Sequence, residues 1–411
     1  MDYPKLRSIE AVPAGTDGQR SLILRDPQRL SESVLLVPMV MVPILRRFDG
    51  GHSLEDIRAA CRSEHRLEVS MEKLREIVSQ FETAHFLEGE KFEARRKSLE
   101  SEFLSAPTRP GFLAGKSYAE ESETLRSQIE GFFTDEKGPG LPGRNGGAPR
   151  EPLRGVVAPH IDFQRGGPSF AWSYRAVAER ADADLFIVLG TVHVPTRGMY
   201  GLTRKPFETP FGPLEVDLEF TDRLAAAPPE DLFQDEFAQC TEHSIEFQAV
   251  LLRYVYREKR PVKFVPVLVG SFGEFVKGGV SPSGSGRVEG FIGALRGAMK
   301  GYEAAGQKVC LLASVDLAHV GPQFGGGEAV DAQKRADIER QDRESIDAVC
   351  RGDAEGFYWS VVADGDRRNV CGLAPIYTML RSLDELRGEL LDYSQWPDPN
   401  GTVSFCSLAL H

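Results

Sequence analysis

Four of the chain's eight histidines stand where ordered elements begin or end. His160 closes Gly155-Val156-Val157-Ala158-Pro159-His160, and His193 closes Leu185-Phe186-Ile187-Val188-Leu189-Gly190-Thr191-Val192-His193. His319 ends Ser314-Val315-Asp316-Leu317-Ala318-His319, and His243 opens a helix-like segment in Cys240-Thr241-Glu242-His243-Ser244-Ile245-Glu246. One histidine in such a place is commonly a surface or hydrogen-bonded core residue; four together form a pattern. Imidazole is a common ligand for zinc, iron and copper, and it also exchanges protons near neutral pH. The four are too far apart in sequence for a zinc finger or an HExxH helix, so the fold must assemble any metal site. Asp316 and Glu246 lie three residues from His319 and His243, a spacing that suits a ligand carboxylate or a partner that orients an imidazole. Helix caps or surface carboxylates are the plain alternatives. Cys371 sits in Arg367-Arg368-Asn369-Val370-Cys371-Gly372, where two arginines would favour its thiolate and Gly372 admits a close neighbour. By itself it reads equally well as a buried, inert thiol.

The elements that must carry these residues alternate from Leu153 onward. Strands are predicted at Gly155–Ala158, Leu185–Leu189, Phe264–Val269, Val309–Ala313 and Val403–Leu410. Helices are predicted at Ser169–Arg180, Ser244–Tyr256, Val288–Lys300, Val330–Cys350 and Ala374–Ser382, with an earlier one over Tyr118–Phe133. Short, wholly apolar strands suit a sheet covered by helices on both faces. Such sheets collect chemistry at the carboxyl ends of their strands, where His160 and His193 fall. The glycine- and proline-rich stretch from Gly138 to Gly147 matches GxGxxG through Gly138, Gly140 and Gly143. No strand precedes it and two prolines interrupt it, so it reads as a loop and not a dinucleotide site.

A net charge of −12 argues against a general nucleic-acid or anionic-membrane binder. No run is long enough to span a bilayer and residues 1–20 lack the form of a signal peptide, which makes cytoplasmic residence the expectation. The six cysteines lack CxxC spacing and read as reduced thiols.

Residues 1–90 form a module of their own, with His52, His65 and His85 inside it. Ser21–Leu24 reads as a strand closed by Asp26-Pro27. An apolar, helix-like run extends from Ser33 to Phe48, kinked or delayed by Pro38 and Pro43. Ser53 and Ser70 have the side chains of helix starts, and Phe86-Leu87-Glu88-Gly89 is expected to open a hairpin or wing. The cadence resembles PqqD-like, winged-helix-like α+β domains, which implies peptide or protein docking; packing on the main domain is the alternative. Charge-rich residues 91–109 read as a helical connector, and residues 110–411 as the main α/β domain.

Within that domain, Ala158-Pro159-His160, Leu189-Gly190-Thr191-Val192-His193, Glu208-Thr209-Pro210-Phe211-Gly212, Glu242-His243-Ser244-Ile245-Glu246, Val265-Pro266-Val267-Leu268-Val269-Gly270, Ser314–His319 and Val370-Cys371-Gly372 resemble, in order, the Memo-like family. Its bacterial members are called AmmeMemoRadiSam system protein B. The resemblance implies a dioxygenase-like α/β fold with a mixed or parallel sheet flanked by helices, akin to class III extradiol dioxygenases. It implies metal ligands at His160, His193 and Cys371, acid/base histidines at His243 and His319, and Asp316 lining the pocket. Fe(II) is the leading cofactor expectation, then copper, with zinc behind. A metal-dependent redox enzyme acting on a small molecule or peptide follows, against a non-catalytic metal- or peptide-binding adaptor and, third, a zinc hydrolase. AMMECR-like and radical SAM proteins are the partners the family name implies. The sequence departs from the family at Leu113, where a histidine is common, and at Thr191-Val192 ahead of His193.

Overall fold

The computed structural model describes residues 1–14, 21–143, 151–257 and 259–411. It divides into two compact units, Met1–Ala106 and Pro107–His411.

The first unit opens with strands β1 (Glu10–Ala14), β2 (Ser21–Arg25) and β3 (Val34–Pro38), paired antiparallel in that order. The apolar run expected to be helical from Ser33 is therefore a strand first. Val37 is buried while Val34 and Leu36 face outward, the period of a sheet. Pro38 ends the strand, and only a 3₁₀ turn (Met39–Met41) and a four-residue helix (Val42–Leu45) follow. The Leu54–His65 helix begins in a capping box: Ser53 Oγ accepts from the Asp56 amide, and the Asp56 carboxylate accepts from the Ser53 amide at 2.9 Å. The Met71–Thr83 helix is capped by Ser70 and buries Leu74, Ile77, Val78 and Phe81. After Phe86 no hairpin opens. Leu87 makes one antiparallel bridge to Leu6, and the Glu90–Ser105 helix starts at once.

The second unit is built on strands β4 (Gly155–Ala158), β5 (Leu185–Thr191), β6 (Tyr200–Leu202), β7 (Lys263–Val269), β8 (Val309–Ser314), β9 (His319–Val320), β10 (Gly388–Trp396) and β11 (Thr402–Leu410). Their order is β10-β11-β4-β8-β5-β7-β6, with β9 on β11. The centre, β4-β8-β5-β7, is parallel, and its flanks are antiparallel. Val157 belongs to the core on one face, Val156 and Ala158 to the core on the other. Both faces are covered, which is why these strands are apolar throughout instead of alternating.

The Phe163–Arg180 helix begins six residues before the predicted Ser169. Gly166-Gly167-Pro168 look like a breaker, but Asp162 caps the helix by accepting from the Arg165 amide at 3.1 Å. A side chain at Gly166 would collide with Ile161, and one at Gly167 with Phe132, so the glycines serve close packing. Gly138, Gly140 and Gly143 follow the Ser122–Thr134 helix and no strand; Arg144-Asn145-Gly146-Gly147 lie outside the described residues. No described helix is long and apolar enough to cross a membrane.

Candidate metal centre

The carboxyl ends of three adjacent parallel strands deliver the site. β4 runs into Pro159-His160, β5 into Val192-His193, and β8 into Val315-Asp316. Two helices begin against them, His243–Tyr256 and Leu373–Ser382, bringing His243 and Cys371 alongside. The approach of the first depends on Gly190, where a Cβ would lie 2.6 Å from Ser244 Oγ. The approach of the second depends on Gly372, where a Cβ would lie 2.7 Å from the Asp316 carbonyl oxygen. Gly372 thus admits the close neighbour its sequence context suggests.

His160, His193 and His243 each offer a ligand atom, and these atoms all lie within 4.8 Å of one another. Each ring also has its Nδ1 beside an oxygen. His160 Nδ1 is 3.0 Å from the Ser314 carbonyl oxygen. His193 Nδ1 is 3.0 Å and His243 Nδ1 3.1 Å from Glu242 Oε1. Where Nδ1 carries its proton toward that oxygen, Nε2 presents a lone pair, the arrangement that metal-ligating histidines adopt. The His193 and His243 rings stack, centroids 4.6 Å apart, and the His160 ring stands edge-on to both.

Glu242 is the residue that sequence reading did not single out. Its carboxylate also accepts from the amides of His193 (2.9 Å) and Ser244 (2.9 Å), so it caps a helix while holding two imidazoles. Its position as the residue before His243, at a helix N-cap, was the available signal. Glu246, the candidate three residues on, faces away: it pairs with Arg109 and accepts from Leu113 N at 2.7 Å and Tyr118 Oη at 2.6 Å. Leu113 thus serves through its backbone.

Burial and the nearby His193 and His243 hold the His160 imidazole well below its usual range. Burial also opposes protonation of His193, but the Glu242 charge and hydrogen bonds outweigh it and raise that ring. Glu242 is desolvated too, yet the two imidazoles keep it well below the usual carboxylate range. The Glu242 side chain is 3% exposed, whereas His193 retains 37% and His243 35%, so the cluster has a buried floor and an accessible mouth. The donor set fits a transition metal better than magnesium or calcium, which prefer oxygen.

The other predicted site residues border this group. Cys371 Sγ lies 3.4 Å from His160 Nε2 and 3.3 Å from the Asp316 carbonyl oxygen. The thiolate expected from neighbouring arginines is not favoured here. Burial pushes the Cys371 thiol far up, with Asp316 adding to it; Arg368 is spent on buried Asp342 at 2.5 Å, and Arg367 is exposed. Asp316 accepts from the amides of His160 (3.0 Å) and Ile161 (3.2 Å), and burial lifts its carboxyl to about 6. His319 stands apart from the three clustered histidines; its Nδ1 is 3.2 Å from the Leu317 carbonyl and its ring meets Phe324 edge-on at 5.1 Å.

Burial lowers His319 from 6.5 to about 4. A depressed imidazole contributes stability that is present above pH 6.5 and lost as pH falls toward 4. Asp316, raised from 3.8 to about 6, acts oppositely: its contribution is full below pH 3.8 and is lost as pH rises through 6. In the His319→Asn variant, urea titrations across this window are expected to show a shallower acid-side loss of stability than wild type. An unchanged slope contradicts the assignment.

The Memo-like protein family model matches residues 109–406. A MEMO1 family protein of Aquifex aeolicus is 24% identical over 413 residues, spanning 99% of this chain and 100% of its own length; that match therefore includes the N-terminal unit. A MEMO1 family protein of Desulfurococcus amylolyticus is 30% identical over 302 residues, covering 72% of this chain and 95% of its own. One from Thermus thermophilus is 26% identical over 345 residues, covering 83% and 93%. The residues matched by the family model carry every member of the histidine cluster, and the chain belongs to the Memo-like family.

Proposed function

We propose that this protein is a metal-dependent redox enzyme of the non-haem type, with Fe(II) held by His160, His193 and His243. The observation that carries the reading is the convergence of one ring nitrogen from each of three histidines within 4.8 Å of the others, with every Nδ1 beside an oxygen. Bound there, Fe(II) supplies an electron couple and Lewis acidity. The chain's own residues do the rest. Glu242 keeps two rings oriented, and the buried floor around His160 excludes water from one side. His319, lowered by burial to about 4, is neutral at pH 7 and a weak base there, so it offers a substrate a hydrogen bond and not a strong pull on its proton.

A second reading has an observation of its own. Cys371 Sγ beside His160 Nε2 offers a soft donor, which favours a copper-binding or metal-carrying role without turnover. A zinc hydrolase finds no base in Glu242, whose two oxygens are both engaged; it would have to use Asp316, whose Oδ1 accepts two backbone amides while its Oδ2 lies 3.7 Å from His160 Nε2. Anaerobically purified protein from iron-supplied cells is expected to hold equimolar iron and to consume O₂ with a member of a phenol panel. Tight metal binding without O₂ uptake would favour the carrier, and retained zinc with hydrolytic activity would favour the hydrolase.

A further inference from the structure

Glu242 binds His193 and His243 into one unit, but it does not reach His160, which comes from a different strand. Something else must set the distance between that unit and the third ring. Three wholly buried polar side chains lie between them: Ser314, Gln248 and Ser244, each 0% exposed. Ser314 is the pivot. Its carbonyl accepts from His160 Nδ1 at 3.0 Å, while its hydroxyl donates to the Ser244 carbonyl at 2.5 Å, one residue from His243. Gln248, one turn further along the same helix, donates through Nε2 to Ser314 Oγ at 2.7 Å and to the Pro159 carbonyl at 2.8 Å, next to His160. Its Oε1 is held in turn by Tyr174 Oη at 2.9 Å, which fixes the amide's orientation. Ser244 Oγ donates to the Thr191 carbonyl at 2.8 Å, two residues before His193.

We propose that Ser314 and Gln248 are positioning residues of the metal centre, locking the strand end that carries His160 to the helix start that carries His243. Neither touches a metal or substrate. They act by fixing the separation of the imidazoles, and so the coordination geometry. Ordinary packing does not require this polarity: apolar residues fill the neighbouring positions of β8, and an apolar side chain at 314 would leave the sheet intact. A hydroxyl there, hydrogen-bonded to both the Ser244 carbonyl and the Gln248 amide, has a cost in desolvation that those bonds must offset. The inference rests on the reading of the three histidines as ligands.

The test uses Co(II) as a spectroscopic stand-in, titrated into full-length wild type, Ser314→Ala, Gln248→Met and Ser173→Ala. Ser173 is an equally buried serine, bonded to the Val157 carbonyl and Ser407 Oγ but to nothing that holds a ligand, so it controls for simple loss of a buried hydrogen bond. Ser314→Ala and Gln248→Met are expected to bind Co(II) about 10-fold more weakly with altered ligand-field absorption. Ser173→Ala should melt at lower temperature yet bind with wild-type affinity and spectrum. Wild-type affinity and absorption in both site variants, whatever their melting temperatures, would overturn the proposal. Two variants are used so that poor folding of one leaves the other to decide. Absence of Co(II) binding by wild type would remove the ligand reading itself and the proposal with it.

Discussion

Replacing Glu242 with glutamine is expected to weaken metal binding on the order of 100-fold or more while the chain stays folded. Loss of one outer hydrogen-bond partner typically costs about 10–100-fold in metal affinity. Glu242 is the partner of two ligands at once, His193 and His243. Glutamine keeps the volume and one acceptor oxygen, which can still cap Ser244. Its amide group, however, presents donors to ring nitrogens that must themselves donate, so one imidazole is driven to the wrong tautomer or turned away. The loss of negative charge also removes what favours a cation in this buried place. Competition against a chelator measures the effect. An affinity within a few-fold of wild type would mean that the histidines are oriented by packing alone.

The second large effect concerns stability. Arg109 is completely buried. Its guanidinium pairs with Glu246 and donates to the carbonyls of Gln239 (3.0 Å), Pro110 (3.0 Å) and Glu242 (2.8 Å). It therefore fixes the chain that leads into the helix bearing His243. Arg109→Met leaves the Glu246 carboxylate buried without its counter-charge, and breaking a buried pair from one side costs about 3–5 kcal/mol. The denaturant midpoint of the Pro107–His411 unit in the full chain should fall accordingly. Arg109→Met combined with Glu246→Gln is expected to be milder than Arg109→Met alone, because no uncompensated charge remains. The introduced amide oxygen can still accept from the backbone N–H of Phe112 or Leu113, which the carboxylate now serves. If the single variant matches wild type, the pair is not holding this junction.

The parts of the fold that were legible are those whose burial is uniform. β4, β5, β7, β8 and β11 are covered on both faces, so each shows as a short apolar run. β10, at the sheet edge, mixes Glu389, Leu390, Asp392 and Gln395, and its exposure erased the signal. β6 has three residues, too few for any period. At Ser33–Phe48 apolar content alone suggested a helix, although Val34–Val37 alternate in and out. In the site, His160, His193 and His243 were visible as strand-end and helix-start residues. Which of them share a ligand atom's reach was not, because that depends on the order β4-β8-β5 and on where the Glu242 carboxylate folds back. Spacing pointed to Glu246, three residues from His243. The helix instead turns that side chain toward Arg109, and the adjacent cap residue takes its place.

The most direct test is X-ray absorption on the zinc-reconstituted protein, compared with Cys371→Ala and His243→Ala. Zinc is borderline in softness and accepts sulfur readily, so it reports a thiolate if one is within reach. Three imidazoles at about 2.0–2.1 Å, no sulfur near ~2.3 Å, and a spectrum unchanged in Cys371→Ala but lost in His243→Ala are the predicted result. A sulfur shell near ~2.3 Å that disappears in Cys371→Ala, with His243→Ala unaffected, would contradict it.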